Sequence, residues 1–533
     1  MVTHSCLASR AFPKLAGAKI AYSRDGGFMV AGFDGGHVHI LNTDSLEDIH
    51  SARNTAATIT MVSCSTSGDQ VAVADSAHHV LLYACLPHKH SRRWEFIGRT
   101  QTHHEVVTGL NFGESPSGQT RLFSIGADGR LAEYDLDGST LSTGLRLLHH
   151  MDLPATVTPT ALAFAPPLPY FRHHSHETHL LACDAQFKVR MFDADSRSQV
   201  ATFLGPTFGG PVTKLVMFKS STSDAAFLAY TTSERVVGLL AWPMDGDPAK
   251  TMGLIAHPGS ITAMAVSYDG RKLLTASGDD GTLAVWDIVA SALGGGARLT
   301  AEHGPLNSSL RWEKVLADNE LVDEMREYFL YAQVHKMLYC SLIKIGHSRI
   351  WQSLFTNAPP YPGDSCFHSF YAQIKAQGEG CMSARAVPGT VPATMLPDIF
   401  RAAGFYPSQA DIAVISSHLA FIAASRDLDN IDNVSFEDLL CLYANHRPLV
   451  EATQEDIAKA FLALGANPNN GKITRDHLLN ALQSVGEPMD VAELTAALAT
   501  LTGAKKLNKT MPNTVDAVAF ATDILGFEKD AAA

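Results

Sequence analysis

Four stretches in the second half of the chain have the spacing of a loop that binds a divalent cation. Such a loop places oxygen donors at positions one, three and five, a glycine at position six and a bidentate glutamate at position twelve. In GANPNNGKITRDHL, residues 465–478, Gly471 stands at position six and Ile473 at position eight. A single amide cannot replace a set of carboxylates, so we expect this frame to hold no ion. The residues at its four ligand positions are Ala466, Pro468, Asn470 and His477.

A second stretch, DLDNIDNVSFED at residues 427–438, is the weak candidate for calcium. Its sixth residue is an aspartate instead of glycine, its fifth is apolar, and its last carboxylate is one carbon shorter than glutamate. We expect at most weak calcium binding there and favour none, so no metal and no cofactor is predicted for the chain. The candidate carboxylates are Asp427, Asp429, Asp432 and Asp438. The first and fourth stretches have Ala384 with Met395 and Asn508 with Ala519 at their ends.

Other candidate chemistry is weaker. The letters GKIT suggest a phosphate loop, but Gly465 and Gly471 are one residue too far apart and Ile473 stands where the magnesium-binding Ser or Thr belongs. Four histidines in FRHHSHETH, residues 171–179, have no cysteine or aspartate at metal-ligand spacing, so an exposed loop is favoured over a metal cluster. GxSxG, HExxH and GxGxxG are all missing, and no catalytic residue is predicted.

Composition excludes several classes of protein. The chain has 533 residues, 46% of them hydrophobic and 18% charged, which is enough for several globular domains. Its net charge of −13 disfavours nucleic-acid binding, and no apolar run is long enough for a membrane span. The N-terminus has no long apolar region, so no signal peptide is expected. Eight scattered cysteines without CxxC fit free thiols in a reducing compartment.

The loops must be positioned by helices. Apolar residues recur at helical spacing in DNELVDEMREYFLYAQ and in QEDIAKAFLAL, which Thr453 and Asp456 are expected to cap. A β-branched residue stands at loop position eight in all four stretches, and we expect these residues to link the loops in pairs as two-stranded sheets. They are Val391, Val434, Ile473 and Val515. With FRAAGFYPSQADI and LQSVGEPMDVAEL as inter-loop helices, this half resembles calmodulin-like EF-hand proteins.

The first half is built of strands. One pattern of short alternating strands and polar turns recurs six times between residues 20 and 290, at a spacing that predicts four-stranded blades of a β-propeller. The clearest copy is HPGSITAMAVSYDGRKLLTASGDDGTLAVWDI, residues 257–288. The weaker copies end at residues 36–42, 79–85, 129–135, 188–194 and 236–242. A seventh blade built from residues 1–19 with 291–313, one supplied by a partner, and no seventh blade are all left open.

The clearest copy resembles a WD repeat. His257, Asp280 and Trp286 fall where that family places its histidine, turn aspartate and strand tryptophan, and His104 is placed at the matching position of the third copy. We expect a buried aspartate that accepts hydrogen bonds from backbone and histidine, covered by the tryptophan. These residues are predicted to be structural.

One stretch interrupts the helical half. EYFLYAQ (327–333) is echoed by SFYAQIKAQGEG (369–380), and the residues between them contain Pro359, Pro360 and Pro362. We expect residues 334–368 to be a poorly ordered insertion, either a lineage-specific loop or a translated intron.

The predicted fold class is a multidomain β-then-α protein, in which a WD-repeat β-propeller precedes an all-α, calmodulin-like EF-hand region. The expected segments are a propeller at 1–290, a linker at 291–317, a first degenerate EF-hand pair at 318–333 and 369–446, a second pair at 447–527 and a tail at 528–533. Residues 393–533 contain 18 acidic and 10 basic residues, a net charge of −8. An apolar groove there would suit a basic amphipathic helix, and packing of the pairs on each other and on the propeller is the equal alternative.

The combination of a propeller with degenerate EF-hands, together with LVDEMREYFLYAQ, FRAAGFYPSQADI and VSFEDLLCLYANHRP, resembles a family of cilia- and flagella-associated subunits. The resemblance implies an axonemal scaffold of the calmodulin- and spoke-associated complex, near radial spoke three. Its implied partners are the other subunits of that complex, calmodulin and the doublet microtubule. It implies no nucleic-acid or membrane partner and a location in the cytoplasm, cytoskeleton and ciliary axoneme. A calcium sensor and a generic WD-repeat adaptor, such as a ubiquitin-ligase substrate receptor, are the alternatives.

Overall fold

The structure is a computed structural model. It describes residues 8–525, apart from 18, 89–90, 116, 155–156, 166–178, 220–225, 290–311, 314, 317, 346–388, 427, 429–430, 450–452, 469, 487, 493 and 496–511. The chain divides into two compact units: Met1–Tyr406 with Ala413–Arg447, and Pro407–Ile412 with Pro448–Ala533. No helix among the described residues is both long and apolar enough to cross a membrane.

Six antiparallel sheets form the first part of unit one. Sheets 1 to 5 have four strands each, and sheet 6 has three in the described part. Sheet 1 contains β1 Lys19–Tyr22, β2 Phe28–Gly32, β3 His37–Asn42 and β4 Asp48–Arg53. Sheet 2 contains β5 Ile59–Cys64, β6 Gln70–Asp75, β7 His79–His88 and β8 Ser91–Gln101. Sheet 3 contains β9 Val107–Glu114, β10 Thr120–Gly126, β11 Arg130–Thr140 and β12 Gly144–Asp152. Sheet 4 contains β13 Pro159–Ala165, β14 His179–Asp184, β15 Lys188–Asp193 and β16 Gln199–Leu204. Sheet 5 contains β17 Val212–Lys219, β18 Ala226–Thr232, β19 Val236–Ala241 and β20 Thr251–Ile255. Sheet 6 contains β21 Ile261–Val266, β22 Lys272–Ser277 and β23 Leu283–Asp287.

The six blades predicted from the sequence are confirmed. Each of the six sequence copies ends in the third strand of one sheet, namely β3, β7, β11, β15, β19 and β23. The first strand of each sheet lies beside the first strand of the next, from β1 through β5, β9, β13 and β17 to β21. Alternation of apolar residues along these strands fills the space between neighbouring sheets, as in the core that Leu82, Leu110 and Leu122 share between sheets 2 and 3.

The second half of unit one is helical. It contains α1 Asn319–Ile345, β24 Thr390–Pro392, α2 Leu396–Ala402, α3 Gln409–Ser425, β25 Asn433–Ser435 and α4 Phe436–His446. Phe400, Leu439 and Leu440 are buried in its core, which also takes in Trp312 and Phe329. We call this assembly the first helix pair. It belongs to the same compact unit as the sheets.

The predicted insertion is wrong at its start. Helix α1 continues beyond residue 333 to Ile345, so residues 334–345 are helical. The segment contains neither proline nor glycine before Gly346, and therefore nothing in it stops a helix that has already begun. Residues 346–368 lie outside the described part of the chain.

Unit two contains the second helix pair. Its elements are α5 Gln454–Ala463, β26 Lys472–Thr474, α6 Arg475–Ser484, β27 Thr514–Asp516 and α7 Ala517–Asp523. Phe461, Leu478 and Leu494 lie in a core of its own, with Ile473 and Val515. Thr453 begins α5 with the expected reciprocal cap, because its hydroxyl accepts from the Asp456 N–H and the Asp456 carboxylate accepts from the Thr453 N–H.

Candidate functional site

The β-branched residues of the loop frame meet in pairs. Strand β24 pairs with β25 so that Val391 lies opposite Val434, and β26 pairs with β27 so that Ile473 lies opposite Val515. All four side chains are buried. Each pair of short strands therefore joins two loops by a two-stranded sheet and points a β-branched residue from each loop into the helical core.

The loop at residues 466–477 is closed by its own groups. The Gly471 and Asn470 N–H groups both donate to the Asn467 carbonyl, and the Asn470 side-chain oxygen accepts from the Lys472 N–H at 3.1 Å. Gly471 has a φ of 64°, a left-handed conformation that glycine adopts without strain. At position twelve, His477 Nε2 lies 3.0 Å from the Leu464 carbonyl oxygen. The amide and the imidazole that occupy ligand positions are thus bonded within the chain.

In the second loop a guanidinium takes the last carboxylate. Arg426 Nη2 lies 2.5 Å from Asp438 Oδ1, and Arg426 Nη1 lies 3.1 Å from Oδ2. Asp438 is buried, also accepts from the Ser435 hydroxyl, and raises the pKa of Arg426 by this hydrogen bonding. A bidentate arginine therefore supplies the positive charge at the position where a calcium ion would be held by residue twelve.

The remaining candidate ligands do not gather around a shared point in the described structure. Asp427 and Asp429 lie outside the described residues, and the Asp432 carbonyl oxygen accepts from the Ala393 N–H. Ile431 at position five is buried among the apolar residues of the first helix pair. Within the described ranges, no group of three or more His, Cys, Asp or Glu side chains is placed to hold a metal ion.

The first helix pair is hydrogen-bonded to the propeller through Asn445 near the end of α4. This side chain is fully buried, its Oδ1 accepts from the Leu204 N–H at 2.8 Å, and its Nδ2 donates to the Asp245 carbonyl at 3.1 Å. A Cβ built on Gly246, whose φ is 83°, would lie 1.9 Å from Asn445 Oδ1. Only glycine therefore lets the backbone approach this amide so closely.

A buried lysine makes a second bond across the same junction. Lys188, at the start of β15, is 3% exposed, and its Nζ donates to the Ala444 carbonyl at 3.2 Å. Burial lowers the pKa of Lys188 to about 7, against the opposing charge of Asp184. The ammonium group of Lys188 loses its hydration and instead donates to a carbonyl of the last turn of α4, where helix carbonyls have no partner within the helix.

Aromatic rings fill the rest of the junction. Phe203 of β16 contacts His418 edge to face at a centroid distance of 5.1 Å, and contacts Phe421 at 5.9 Å. His418 Nδ1 lies 2.9 Å from His446 Nε2, so these two imidazoles share a hydrogen bond. Burial lowers the pKa of His418 to about 3 and that of His446 well below its usual value, which keeps both rings neutral.

Packing of the helix pairs on the propeller was one of the two alternatives left open, but the sequence did not indicate which residues form this junction. VSFEDLLCLYANHRP contains Asn445 and was used only for its resemblance to a family. Lys188 lies in a strand with the period expected of a blade. The signal that could have found Asn445 is an asparagine that follows the apolar run Leu439–Leu442 near the end of α4, and that signal does not name the partner.

In sheet 6 the predicted WD-type residues are joined by hydroxyl groups. Trp286 Nε1 donates to Thr275 Oγ1 at 2.9 Å, and the same oxygen lies 2.8 Å from His257 Nε2. His257 Nδ1 lies 2.9 Å from Thr282 Oγ1, which donates to Asp280. Asp280 has the backbone and histidine neighbours expected of it, because its Oδ1 accepts from the Thr282 N–H at 2.9 Å, its Oδ2 lies 3.5 Å from His257 Nδ1, and its side chain is 16% exposed.

In sheet 3 the predicted histidine is wrong by one residue. His104 is exposed, and only its backbone N–H is bonded, to Asp128. His103 is fully buried instead, with Nε2 2.7 Å from Ser124 Oγ and Nδ1 3.3 Å from Asp128 Oδ1. The missed signal is spacing, since both His103 and His257 stand four residues before the first residue of the next strand.

Comparison with known proteins bears on both halves. The model of the CFAP251 C-terminal domain matches residues 367–525, and that of the WD domain, G-beta repeat, matches residues 246–287. The chain is 37% identical over 532 residues to Cilia- and flagella-associated protein 251 of Chlamydomonas reinhardtii, covering 99% of this chain and 48% of that one. It is 29% identical over 554 residues to the protein of the same name from Pongo abelii, covering 98% and 43%.

The chain thus spans about half the length of these relatives. Among solved structures, a chain from the crystal structure of a mitotic checkpoint complex matches 52% of this chain and 77% of its own length, with a TM-score of 0.40 and 19% identity. Similarity of that extent adds nothing to the description of the sheets given above.

Proposed function

Over the part that it shares with those relatives, the chain belongs to the family of cilia- and flagella-associated protein 251, and we propose that it acts in cilia and flagella as a non-enzymatic scaffold. The finer part of the proposal follows the family resemblance. The scaffold helps to anchor radial spoke three and the calmodulin- and spoke-associated complex in the axoneme, with calmodulin, the other subunits and doublet microtubules as partners. It thereby regulates ciliary motility.

The observation that carries the proposal is the junction between the first helix pair and the propeller. Asn445 and Lys188 bond the last turn of α4 to sheet 4 and to the loop between β19 and β20 of sheet 5, and both are buried. A calcium sensor works by changing the angle between its helices. Separating α4 from sheet 4 would break the Asn445 hydrogen bonds to the Leu204 N–H and the Asp245 carbonyl, so this pair is suited to holding a fixed geometry.

The second loop supports the same proposal. A sensor needs carboxylates that are free to bind an ion, and Asp438 already has a bidentate arginine and a cap hydroxyl as partners. Calcium would have to displace a guanidinium that carries its own positive charge. A fixed internal cation makes the loop independent of calcium concentration.

The second helix pair is where a partner helix is most readily accommodated. Large apolar side chains of unit two are exposed, while its loop at residues 466–477 is closed by internal hydrogen bonds. The acidic composition of residues 393–533 would complement a basic amphipathic helix. The exposed apolar residues are Leu462, Val485, Val491 and Val518.

Fractionation of cilia tests the proposed place. Isolated cilia are stripped of membrane with detergent and then extracted with increasing salt, and the chain is followed with an antibody. We expect it to remain with the doublet microtubules through the detergent step and to leave only at high salt. A chain absent from cilia, or released with the membrane and matrix, would support the generic adaptor instead.

Calorimetry with calcium tests the rival sensor function. Titration of the full chain is expected to give no uptake at micromolar calcium, with a variant Asp438→Ala giving the same trace. Micromolar uptake that disappears in Asp427→Ala would show that the second loop is a sensor site and would contradict the fixed scaffold.

A further inference from the structure

A cleft opens between sheets 5 and 6, at the end of the sheets that carries the loops between them. Its volume is about 600 Å³, within the range of ligand pockets in proteins. It is lined by the loop after β16, the turn between β18 and β19, the loop after β20, and Asp279 from the turn before β23. None of the propeller residues discussed above lines it.

The walls of this cleft are held by hydrogen bonds. The Glu234 N–H donates to the Gly209 carbonyl and the Ser233 N–H to the Pro211 carbonyl, which fixes one wall to the turn. The Arg235 guanidinium donates to the Pro258 carbonyl at 2.5 Å and so ties sheet 5 to the loop that leads into sheet 6. A site whose walls are already fixed loses little conformational entropy when it is filled.

The lining combines exposed apolar surface with negative charge. Phe208 is 58% exposed and Ile255 is 65% exposed, although side chains of this size are usually covered. Glu234 and Asp279 are both exposed. Asp279 Oδ2 accepts from the Ser260 N–H and hydroxyl, and these bonds lower the pKa of Asp279, so its carboxylate is ionised at neutral pH.

The charged residues of the lining are Arg235 and the two carboxylates of Glu234 and Asp279, so negative charge is in excess. The Arg235 guanidinium donates to the Pro258 carbonyl, and the described residues show no ion pair between it and either carboxylate. Two carboxylates therefore face a space that is bordered by an aromatic and an aliphatic side chain. This arrangement is complementary to a lysine or arginine that stands beside a large apolar residue.

We propose that the cleft formed by Phe208, Glu234, Ile255 and Asp279 binds a protein segment in which a basic side chain adjoins a large apolar one. The basic group pairs with the carboxylates, and the apolar side chain packs on Phe208 and Ile255. This proposal rests on the scaffold function and adds to it the chemical class of one partner segment. Its test is done in solution, so its failure would leave the ciliary fractionation result unaffected.

A displayed library of random twelve-residue peptides, selected on the immobilised full chain, provides the test. We expect the enriched peptides to share a Lys or Arg next to Leu, Ile, Phe or Met. A representative enriched peptide, synthesised with a fluorophore, should lose at least tenfold in affinity for Phe208→Ala and about fivefold for Glu234→Gln. Binding should also weaken as salt is raised.

Matched variants distinguish this cleft from a non-specific surface. Leu141→Ala and Glu47→Gln change similarly exposed residues on sheets 3 and 1 and should leave affinity unchanged. If a cleft variant fails to fold, a peptide with a photoreactive group gives the answer with the unaltered chain, and cross-links are expected within residues 205–211, 233–236 or 255–260 or at Asp279. No enrichment, enriched peptides without a basic residue, equal binding by all variants, or cross-links elsewhere would each overturn the proposal.

Discussion

The two helix pairs have the same loop frame and use it differently. In the first pair the terminal carboxylate of the second loop is bound by Arg426, and the last turn of α4 is bonded to the propeller. In the second pair the loop at 466–477 is closed by its own backbone, and the core is contained in unit two. The contrast shows two ways of holding a loop of this frame, by an arginine paired with its last carboxylate or by hydrogen bonds within the loop itself.

The energetic consequences differ as well. Buried polar groups hold the first pair, so removing one of them leaves its partners without hydrogen bonds. Apolar contacts and helix caps hold the second pair, so single changes there have smaller effects. Hydrogen exchange of the α4 and α6 segments measures the two pairs separately in one chain, which avoids assigning a single unfolding transition to a protein of two units.

The largest effect is expected from Asn445→Ala. The variant removes two hydrogen bonds across the junction and takes the amide away from the N–H of buried Leu204, a loss that costs about 1–3 kcal/mol for a buried group, so we expect the opening free energy of residues 436–446 to fall by about 3 kcal/mol. Asn480→Ala, which removes an exposed asparagine from α6, is the control and should change protection by less than about 0.5 kcal/mol. Equal losses in both variants would remove the distinction between the pairs.

Acidification should weaken the first pair next. The pKa values of His418 and His446 are lowered in the folded chain, so the unfolded chain binds more protons below about pH 6.5 and stability falls as pH decreases through that range. Between pH 7.5 and 5.5 each buried histidine should remove roughly 1.4 kcal/mol. Hydrogen exchange of residues 436–446 at the two pH values measures the loss. His418→Gln should reduce it, and an unchanged pH dependence in that variant would contradict the assignment to His418.

Lys188 should act in a higher pH window with the same sign, because it is also a base whose pKa is lowered in the folded chain. Its pKa is lowered to about 7 in the folded chain from about 10.5, so the unfolded chain binds the extra proton between these values and stability rises with pH across that interval. Exchange protection of residues 436–446, corrected for the intrinsic rate at each pH, should therefore increase from pH 7 to pH 9. In Lys188→Met the increase should disappear, and its persistence would assign the effect to another group.

An intermediate effect is expected for the internal cation pair. Asp438→Asn removes a charged partner of Arg426, whose side chain is about half exposed, so we expect a loss of about 1–2 kcal/mol in the opening free energy of the first pair. Asp476→Asn, whose side chain is 82% exposed beside Arg475, is the matched change in the second pair and should cost less than about 0.5 kcal/mol. Calorimetry is expected to show that neither variant gains affinity for calcium.

The smallest effect should be confined to the second pair. Thr453→Ala removes the reciprocal cap of α5, which is worth about 1 kcal/mol. Protection of residues 454–463 should decrease while that of residues 436–446 stays constant. A simultaneous loss in both segments would show that the two units open together, and the comparison between them would then have to be abandoned.

Local patterns in the sequence were sufficient for the elements of the fold. Strand alternation and turn residues locate all six third strands, and the β-branched position eight locates the residues that pair as Val391 with Val434 and Ile473 with Val515. These features depend on neighbours within a few residues, where side-chain period and turn geometry decide the conformation. The same reasoning stopped the first long helix too early, because α1 continues to Ile345 through a segment that contains neither glycine nor proline.

Choices between adjacent residues were less secure. His103 and His104 have the same chemistry, and only the distance to the next strand shows which of them turns inward. The hydroxyl groups of Thr275 and Thr282 were also missed, since nothing in their local sequence distinguishes a hydroxyl inside a hydrogen-bond network from one at the surface of a strand.

The sequence by itself therefore determined a chain of blades followed by helices, together with loops that pair through β-branched residues. The tertiary structure alone decided what those loops and helices hold. Asn445 and Leu204 are 241 residues apart, and Lys188 and Ala444 are 256 apart, so no pattern of local spacing could connect them. Their contacts arise because the first helix pair packs on sheet 4, and a buried hydrogen bond between distant segments exists only once both of its partners have been brought together.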